Sequence, residues 1–170
     1  IIFLHGLLGT KNDWQKVIEN LLHFNCIALD LPFHGQAKDI EVTNFEDSAE
    51  YLAQQIKSAV KNEPYFLVGY SLGGRIALYY ALQAQMERYN LQGVILEGAN
   101  LGLKTDEEKQ ARFQQDFAWA QRFMQESPEN VLKDWYQQPV FSHLTAEERK
   151  ELIEKRSEEH TSELQSRIRI

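Results

Sequence analysis

The chain has 170 residues, with 18 Lys and Arg against 25 Asp and Glu, a formal net charge of −7, and 43% hydrophobic residues. That length and apolar fraction suit an ordinary globular domain with a real core, and they exclude disordered and fibrous classes. The acidic balance without a Lys/Arg cluster argues against nucleic acid. No apolar run approaches the ~20 residues of a membrane span, and no signal-peptide pattern opens the chain. The single cysteine, Cys26, has no internal disulfide partner and fits a reducing, cytoplasmic setting.

The chain starts inside an apolar run, Ile1-Ile2-Phe3-Leu4-His5, without an initiator Met, and reads as a strand parted from its predecessors. Further β-rich runs follow at Cys26–Asp30, Tyr65–Tyr70 and Gly93–Glu97. All four are nearly continuous apolar runs, as expected for strands buried on both faces of a parallel sheet. Between them, Trp14, Val17, Ile18, Leu21 and Leu22 form a helical stripe. Thr43-Asn44-Phe45-Glu46 reads as a capping box opening a helix to about Lys61, with Leu52, Ile56 and Val60 inward. A third helix begins just after Ser71 and buries Ile76, Ala77, Tyr80 and Ala81. Strand alternating with helix predicts an α/β fold.

After Gly98 the pattern becomes helical. The first helix spans about Asp106–Gln125, with Phe113, Phe117, Ala120 and Met124 on one face. Ser127-Pro128 opens the second, carrying Val131, Leu132, Trp135 and Tyr136, and Thr145-Ala146-Glu147-Glu148 caps the third. The expected organisation is a partial α/β core over residues 1–100 and a helical cap over 101–155. Residues 156–170 are expected to be a non-native tail, because Arg156 to Ser166 resembles the translation of a sequencing adapter.

Chemistry is written at Gly69-Tyr70-Ser71-Leu72-Gly73, a G-x-S-x-G between a strand and a helix. In that context the serine sits on a sharp turn with its hydroxyl above the sheet edge. The helix N-terminus then brings the Leu72 N–H beside any oxyanion formed there. The loop after the first strand supplies a second donor, the Leu7 N–H, while His5 braces the loop. Asp30-Leu31-Pro32-Phe33-His34-Gly35 resembles the D-x-P-G-x-G loop of α/β-hydrolases, with Phe33 where glycine is usual. Asp30 and His34 read as turn-formers. A phosphate loop is excluded by its missing glycine pattern, and scattered histidines give no metal-ligand spacing.

Within the α/β-hydrolase superfamily, Val68-Gly69-Tyr70-Ser71-Leu72-Gly73-Gly74-Arg75 and Asp134-Trp135-Tyr136-Gln137-Gln138-Pro139-Val140-Phe141 narrow the match. To about Ser157 the chain resembles the 2-succinyl-6-hydroxy-2,4-cyclohexadiene-1-carboxylate synthase family of menaquinone biosynthesis. The resemblance implies elimination of pyruvate from 2-succinyl-5-enolpyruvyl-6-hydroxy-3-cyclohexene-1-carboxylate, with a Ser–His–Asp triad and no cofactor, Ser71 serving as base. It also implies substrate-binding roles for Tyr70, Arg75, Arg112, Trp135 and Arg156. A small polycarboxylate partner suits the arginines, since a guanidinium fork binds carboxylate through two parallel bonds. Arg75, one helical turn beyond Ser71, is expected to converge with Arg112 on Ser71's pocket. Arg122 and Arg149 read as solvated surface arginines.

A triad also needs Asp and His on loops after later strands. The histidines downstream of Ser71 are His143, in a connector between helices, and His160, in the suspected tail. The triad Asp and His are therefore expected to be absent and this chain inactive alone. The alternatives are a serine hydrolase (esterase, thioesterase or carbon–carbon hydrolase) and a non-catalytic truncated chain.

Overall fold

Short apolar strands separated by helices can pair only through crossovers, and the result is a parallel sheet. A computed structural model describes residues 1–83 and 90–160. Its strands are β1 (Ile2–Leu4), β2 (Ile27–Leu29), β3 (Tyr65–Tyr70) and β4 (Leu91–Glu97), in the order β2-β1-β3-β4. Every pairing is parallel: Phe3 lies opposite both Ala28 and Val68, and Val68 opposite Ile95. The four predicted strands are therefore present within one or two residues of their expected ends. The chain divides into two compact units, Ile1–Gly102 and Leu103–Ile170.

In the first unit, α2 (Phe45–Val60) and α3 (Leu72–Leu82) supply the core with the sheet. Leu52, Ile56 and Val60 are buried as their spacing requires, together with Leu67 of β3 and Ile76 and Tyr80 of α3. The Tyr65 and Tyr80 hydroxyls hydrogen-bond at 2.9 Å, so these two aromatics stay polar-satisfied inside the core. The cap of α2 sits one residue later than predicted. Asn44 Oδ1 accepts from the Asp47 N–H at 2.8 Å, and Asp47 Oδ2 accepts from the Thr43 N–H and hydroxyl. Asn is at least as good an N-cap as Thr, and here Asp47 takes the reciprocal role assigned to Glu46.

The stripe beginning at Trp14 does not form one long helix. A 3-10 turn over Lys11–Trp14 leads into a single turn, α1 (Gln15–Ile18). The Asn20 side chain then takes the Lys16 carbonyl at 2.7 Å, and the backbone bonds of Asn20 and Leu21 reach back three residues. A side-chain amide competing for a backbone carbonyl ends the helix. Trp14 alone of the stripe is buried, its ring 4.9 Å from Phe3, while Leu22 is 84% exposed.

The second unit contains α4 (Asp106–Gln125), α5 (Pro128–Trp135) and α6 (Ala146–His160). Helix bounds and the Thr145–Glu148 box agree with expectation, but the inward face of α4 does not. Phe113, Phe117 and Met124 are exposed, while Ala120 and Phe123 are buried. Aromatic packing turns the helix that way: Trp119 and Phe123 lie 5.0 and 5.7 Å from Trp135 of α5. Arg122, expected at a solvated surface, instead ties the helices together. It binds Glu126 through Nε at 2.7 Å and Nη2 at 3.0 Å, reaches Asp134 of α5 at 2.6 Å, and lies over the Trp119 ring. Of the adapter-like stretch, residues 161–170 lie outside the described residues. Among the described residues no helix is long and apolar enough to cross a membrane.

These packing assignments give two expected outcomes. Leu67→Ala, at a wholly buried position, lowers unfolding free energy by about 2–5 kcal/mol, whereas Leu22→Ala changes it by less than ~0.5 kcal/mol; urea titration of each variant measures both. The second concerns acid. Hydrogen bonds from Arg122 hold the Glu126 carboxyl below its ordinary 4.5. A carboxyl lowered in the folded state stabilises fully above the unfolded value and stops doing so as pH falls through the lowered one. Tryptophan emission from the α4–α5 pair should therefore begin to change below pH 4.5, and Arg122→Gln should flatten that dependence.

Candidate active site

Ser71 joins β3 directly to α3, with no intervening loop to absorb the change of direction. Its backbone takes φ 51° and ψ −112°, a region that L-residues occupy only under constraint. Both backbone groups are held, the N–H donating to the Glu97 carbonyl of β4 at 2.9 Å and the carbonyl accepting from the Arg75 N–H at 3.1 Å. The predicted strand-to-helix elbow is thus present.

Glycines make the turn sterically possible. A Cβ at Gly73 would stand 2.5 Å from the His5 carbonyl oxygen and 2.6 Å from that of Leu4, so α3 begins hard against the carboxyl end of β1. A Cβ at Gly69 would meet the Gly74 backbone at 2.6 Å. The loop after β1 reaches the same place: a Cβ at Gly6 would lie 2.8 Å from the Tyr70 ring and 3.4 Å from Ser71 Cβ. Leu7, the residue expected to offer an oxyanion donor, follows immediately. The half-exposed Tyr70 ring also lies near Gly98, at the end of β4.

That loop is braced by buried imidazoles. His5 Nε2 accepts from the Leu31 N–H at 3.0 Å, so Nδ1 carries the proton that bonds the Gly6 carbonyl at 2.8 Å. His34 repeats the arrangement, accepting from the Leu8 N–H at 3.2 Å and donating from Nδ1 to the Pro32 carbonyl at 2.8 Å. The two rings meet edge-on at 5.0 Å. Asp30 accepts from the Lys11 and Gln36 backbone N–H groups at 2.8 and 3.0 Å. Burial, and secondarily the Asp30 charge, raises the Tyr51 phenol above its ordinary 10. His5, Asp30 and His34 thus act as braces and turn-formers. Phe33 takes φ 66°, a left-handed conformation that favours glycine.

The sequence-predicted residues divide between the units. Tyr70, Ser71 and Leu72 are consecutive at the elbow with Arg75 on the first turn of α3, and the Arg75 guanidinium lies over Phe45, 4.7 Å from the ring centroid. Arg112, Trp135 and Arg156 belong to the second unit. There Arg112 is exposed and bonds Asp116 at 2.8 Å, Trp135 packs on Trp119 and Phe123, and Arg156 of α6 is 7% exposed. His143 follows a 3-10 turn, Pro139–Phe141, and faces Glu148 electrostatically. Sequence reading missed Phe45, whose position opening a helix marked it only as a capping neighbour.

A parallel sheet, a strained serine elbow and a glycine-lined loop beside it define a class. The chain belongs to the alpha/beta hydrolase fold family, whose model matches residues 1–167. More particularly, it is 93% identical over 156 residues to a Haemophilus influenzae protein provisionally named 2-succinyl-6-hydroxy-2,4-cyclohexadiene-1-carboxylate synthase, covering 92% of this chain and 63% of that protein. It is 43% identical over 160 residues to the Yersinia enterocolitica protein of that name, covering 94% of this chain and 57% of the relative. The solved structure of MenH from S. aureus superposes with a TM-score of 0.84 at 28% identity, over 99% of this chain and 64% of that one. The chain therefore spans 57–63% of the length of these curated relatives.

Strain at the elbow and crowding at Gly73 predict opposite responses. Ser71→Gly removes the conformational penalty and should stabilise the chain by about 1 kcal/mol, after allowance for the extra freedom of unfolded glycine. Gly73→Ala drives a methyl group into backbone carbonyls and should prevent the native fold. Thermal unfolding of the two variants beside wild type tests both.

Proposed function

We propose that the site centred on Ser71 is that of a lyase, which eliminates pyruvate from 2-succinyl-5-enolpyruvyl-6-hydroxy-3-cyclohexene-1-carboxylate to give 2-succinyl-6-hydroxy-2,4-cyclohexadiene-1-carboxylate. One observation carries the reading: a strained serine elbow with Arg75 on the first turn of the same helix. A generic esterase has no need of a guanidinium there, and a polycarboxylate substrate has. The names of the similar Haemophilus and Yersinia proteins support the same reaction.

The chemistry follows from the substrate. The ring proton beside the succinyl carbonyl is the acidic one, and Ser71, once activated, takes it as base. The released electron pair forms a ring double bond, the existing double bond shifts by one position, and the carbon–oxygen bond to the enolpyruvyl group breaks. The departing enolate takes up a proton and becomes pyruvate. Charge gathers on the succinyl oxygen as the proton leaves, and the Leu7 and Leu72 N–H groups are the donors for it. Tyr70, Arg75, Arg112, Trp135 and Arg156 bind the substrate, its carboxylates pairing with the arginines. In this reading residues 1–100 form the catalytic core and 101–155 the cap, the reaction needs no cofactor, and it takes place in the cytoplasm.

Serine without an activating imidazole is a weak base. His143 lies in a connector between helices and not after a strand, so turnover by these 170 residues alone should be negligible. The test follows pyruvate release and ester hydrolysis by the purified chain, with calorimetric binding of 2-succinylbenzoate, an aromatic dicarboxylate analogue of the product. The expected result is no turnover above the uncatalysed rate, and binding weakened about 10-fold or more by Arg75→Met. Pyruvate release abolished by His143→Ala or by His160→Ala would overturn the inactivity. Ester hydrolysis with no effect of Arg75→Met would favour a hydrolase.

A further inference from the structure

Phe45 opens α2, and its ring supports the Arg75 guanidinium at 4.7 Å. Tyr79, one turn further along α3, packs on the same ring with centroids 6.1 Å apart and planes inclined at 33°. Phe45 therefore sits beneath two successive turns of one face of α3. Topology puts this contact at a useful height. The 16-residue α2 ends at Val60, shortly before β3 begins at Tyr65, so it runs back along the sheet and starts at the strands' carboxyl edge. Ser71 turns at that edge, and open α/β sheets bind their ligands there.

We infer that Phe45 is a positioning residue for substrate binding, holding the Arg75 guanidinium at the carboxyl edge through the face of its ring. The inference rests on the proposed role of Arg75 as a carboxylate-binding group. A long arginine side chain loses rotamer freedom when it grips a carboxylate, and a guanidinium already lying on an aromatic ring has lost part of it in advance. The guanidinium carbon lies over the ring, and a guanidinium that stacks on a ring by its flat face keeps its in-plane N–H groups for a carboxylate, so the two contacts are compatible. Leucine would fill much of the same volume without the ring's negative face. Tyrosine would keep that face.

The test compares wild type with Phe45→Leu and Phe45→Tyr, each first checked for an unchanged circular dichroism spectrum. The readout independent of ligand is the Arg75 Nε–H proton resonance. A proton held over a ring is displaced upfield, and this should be seen in wild type and Phe45→Tyr and be lost in Phe45→Leu. The second readout is affinity for 2-succinylbenzoate, expected to fall about 2–5-fold in Phe45→Leu and to stay near the wild-type value in Phe45→Tyr. A purely packing role would leave the Arg75 resonance in the same place in all three proteins, and that result overturns the inference, as does equal affinity in Phe45→Leu and Phe45→Tyr. An undisplaced wild-type resonance also overturns it. If the resonance behaves as expected while Arg75→Met leaves binding unchanged, Phe45 does order the guanidinium but the carboxylate-binding reading of Arg75 fails.

Discussion

The contact on which the rest of the first unit depends is the close approach of α3 to the carboxyl end of β1. At Gly73 the helix backbone comes so near the Leu4 and His5 carbonyls that even a methyl group has no room. A helix that begins this close to the sheet leaves no residues for a gradual turn out of β3. Ser71 must make the whole change of direction, and it does so at φ 51°. Strain there is over-determined by two backbone hydrogen bonds, one to β4 and one along α3. The consequence is chemical as well as steric: the serine hydroxyl is carried on a backbone that cannot relax, beside the first N–H groups of a helix.

The loop after β1 meets the same demand by different means. It needs a fixed shape beside Ser71 but consists of small and apolar residues that cannot hold one alone. Two imidazoles, each bridging from one backbone N–H to one backbone carbonyl, hold it from beneath. Each ring pairs with two buried main-chain groups, and a buried group left unpaired costs about 1–3 kcal/mol; the Gly6 carbonyl is held twice, since it also accepts from the Gly9 N–H at 3.0 Å. Histidines near a serine elbow invite a catalytic reading, and the hydrogen bonds to backbone explain both rings without it.

The second unit combines the wholly buried Val131 and Leu132 of α5 with a cluster of aromatic rings. Trp119, Phe123 and Trp135 set the rotation of α4 against α5, and Arg122 bridges the two helices from one side. Arg122 also shows how much a charged residue's role depends on what tertiary structure brings to it. In the sequence it has a carboxylate four residues on, an ordinary helical pair. Asp134, twelve residues away, turns that pair into an inter-helix tie.

The sequence alone determined the alternation of strands and helices, the serine elbow and the family resemblance. Each of these is local: a strand is a run of neighbours, a cap is four residues, and the elbow is five residues between two apolar runs. Only tertiary structure decided which apolar residues face inward on α4 and that Phe45 lies under Arg75. Phe113, Phe117 and Met124 have the right spacing for a buried stripe, yet Phe123 is the residue that meets an aromatic partner. The Leu21–Leu22 end of the first stripe was lost because Asn20 found a carbonyl to bond. Period and propensity describe a segment's own preferences, whereas burial is set by whichever distant surface the segment packs against, and that surface is not written in the segment itself.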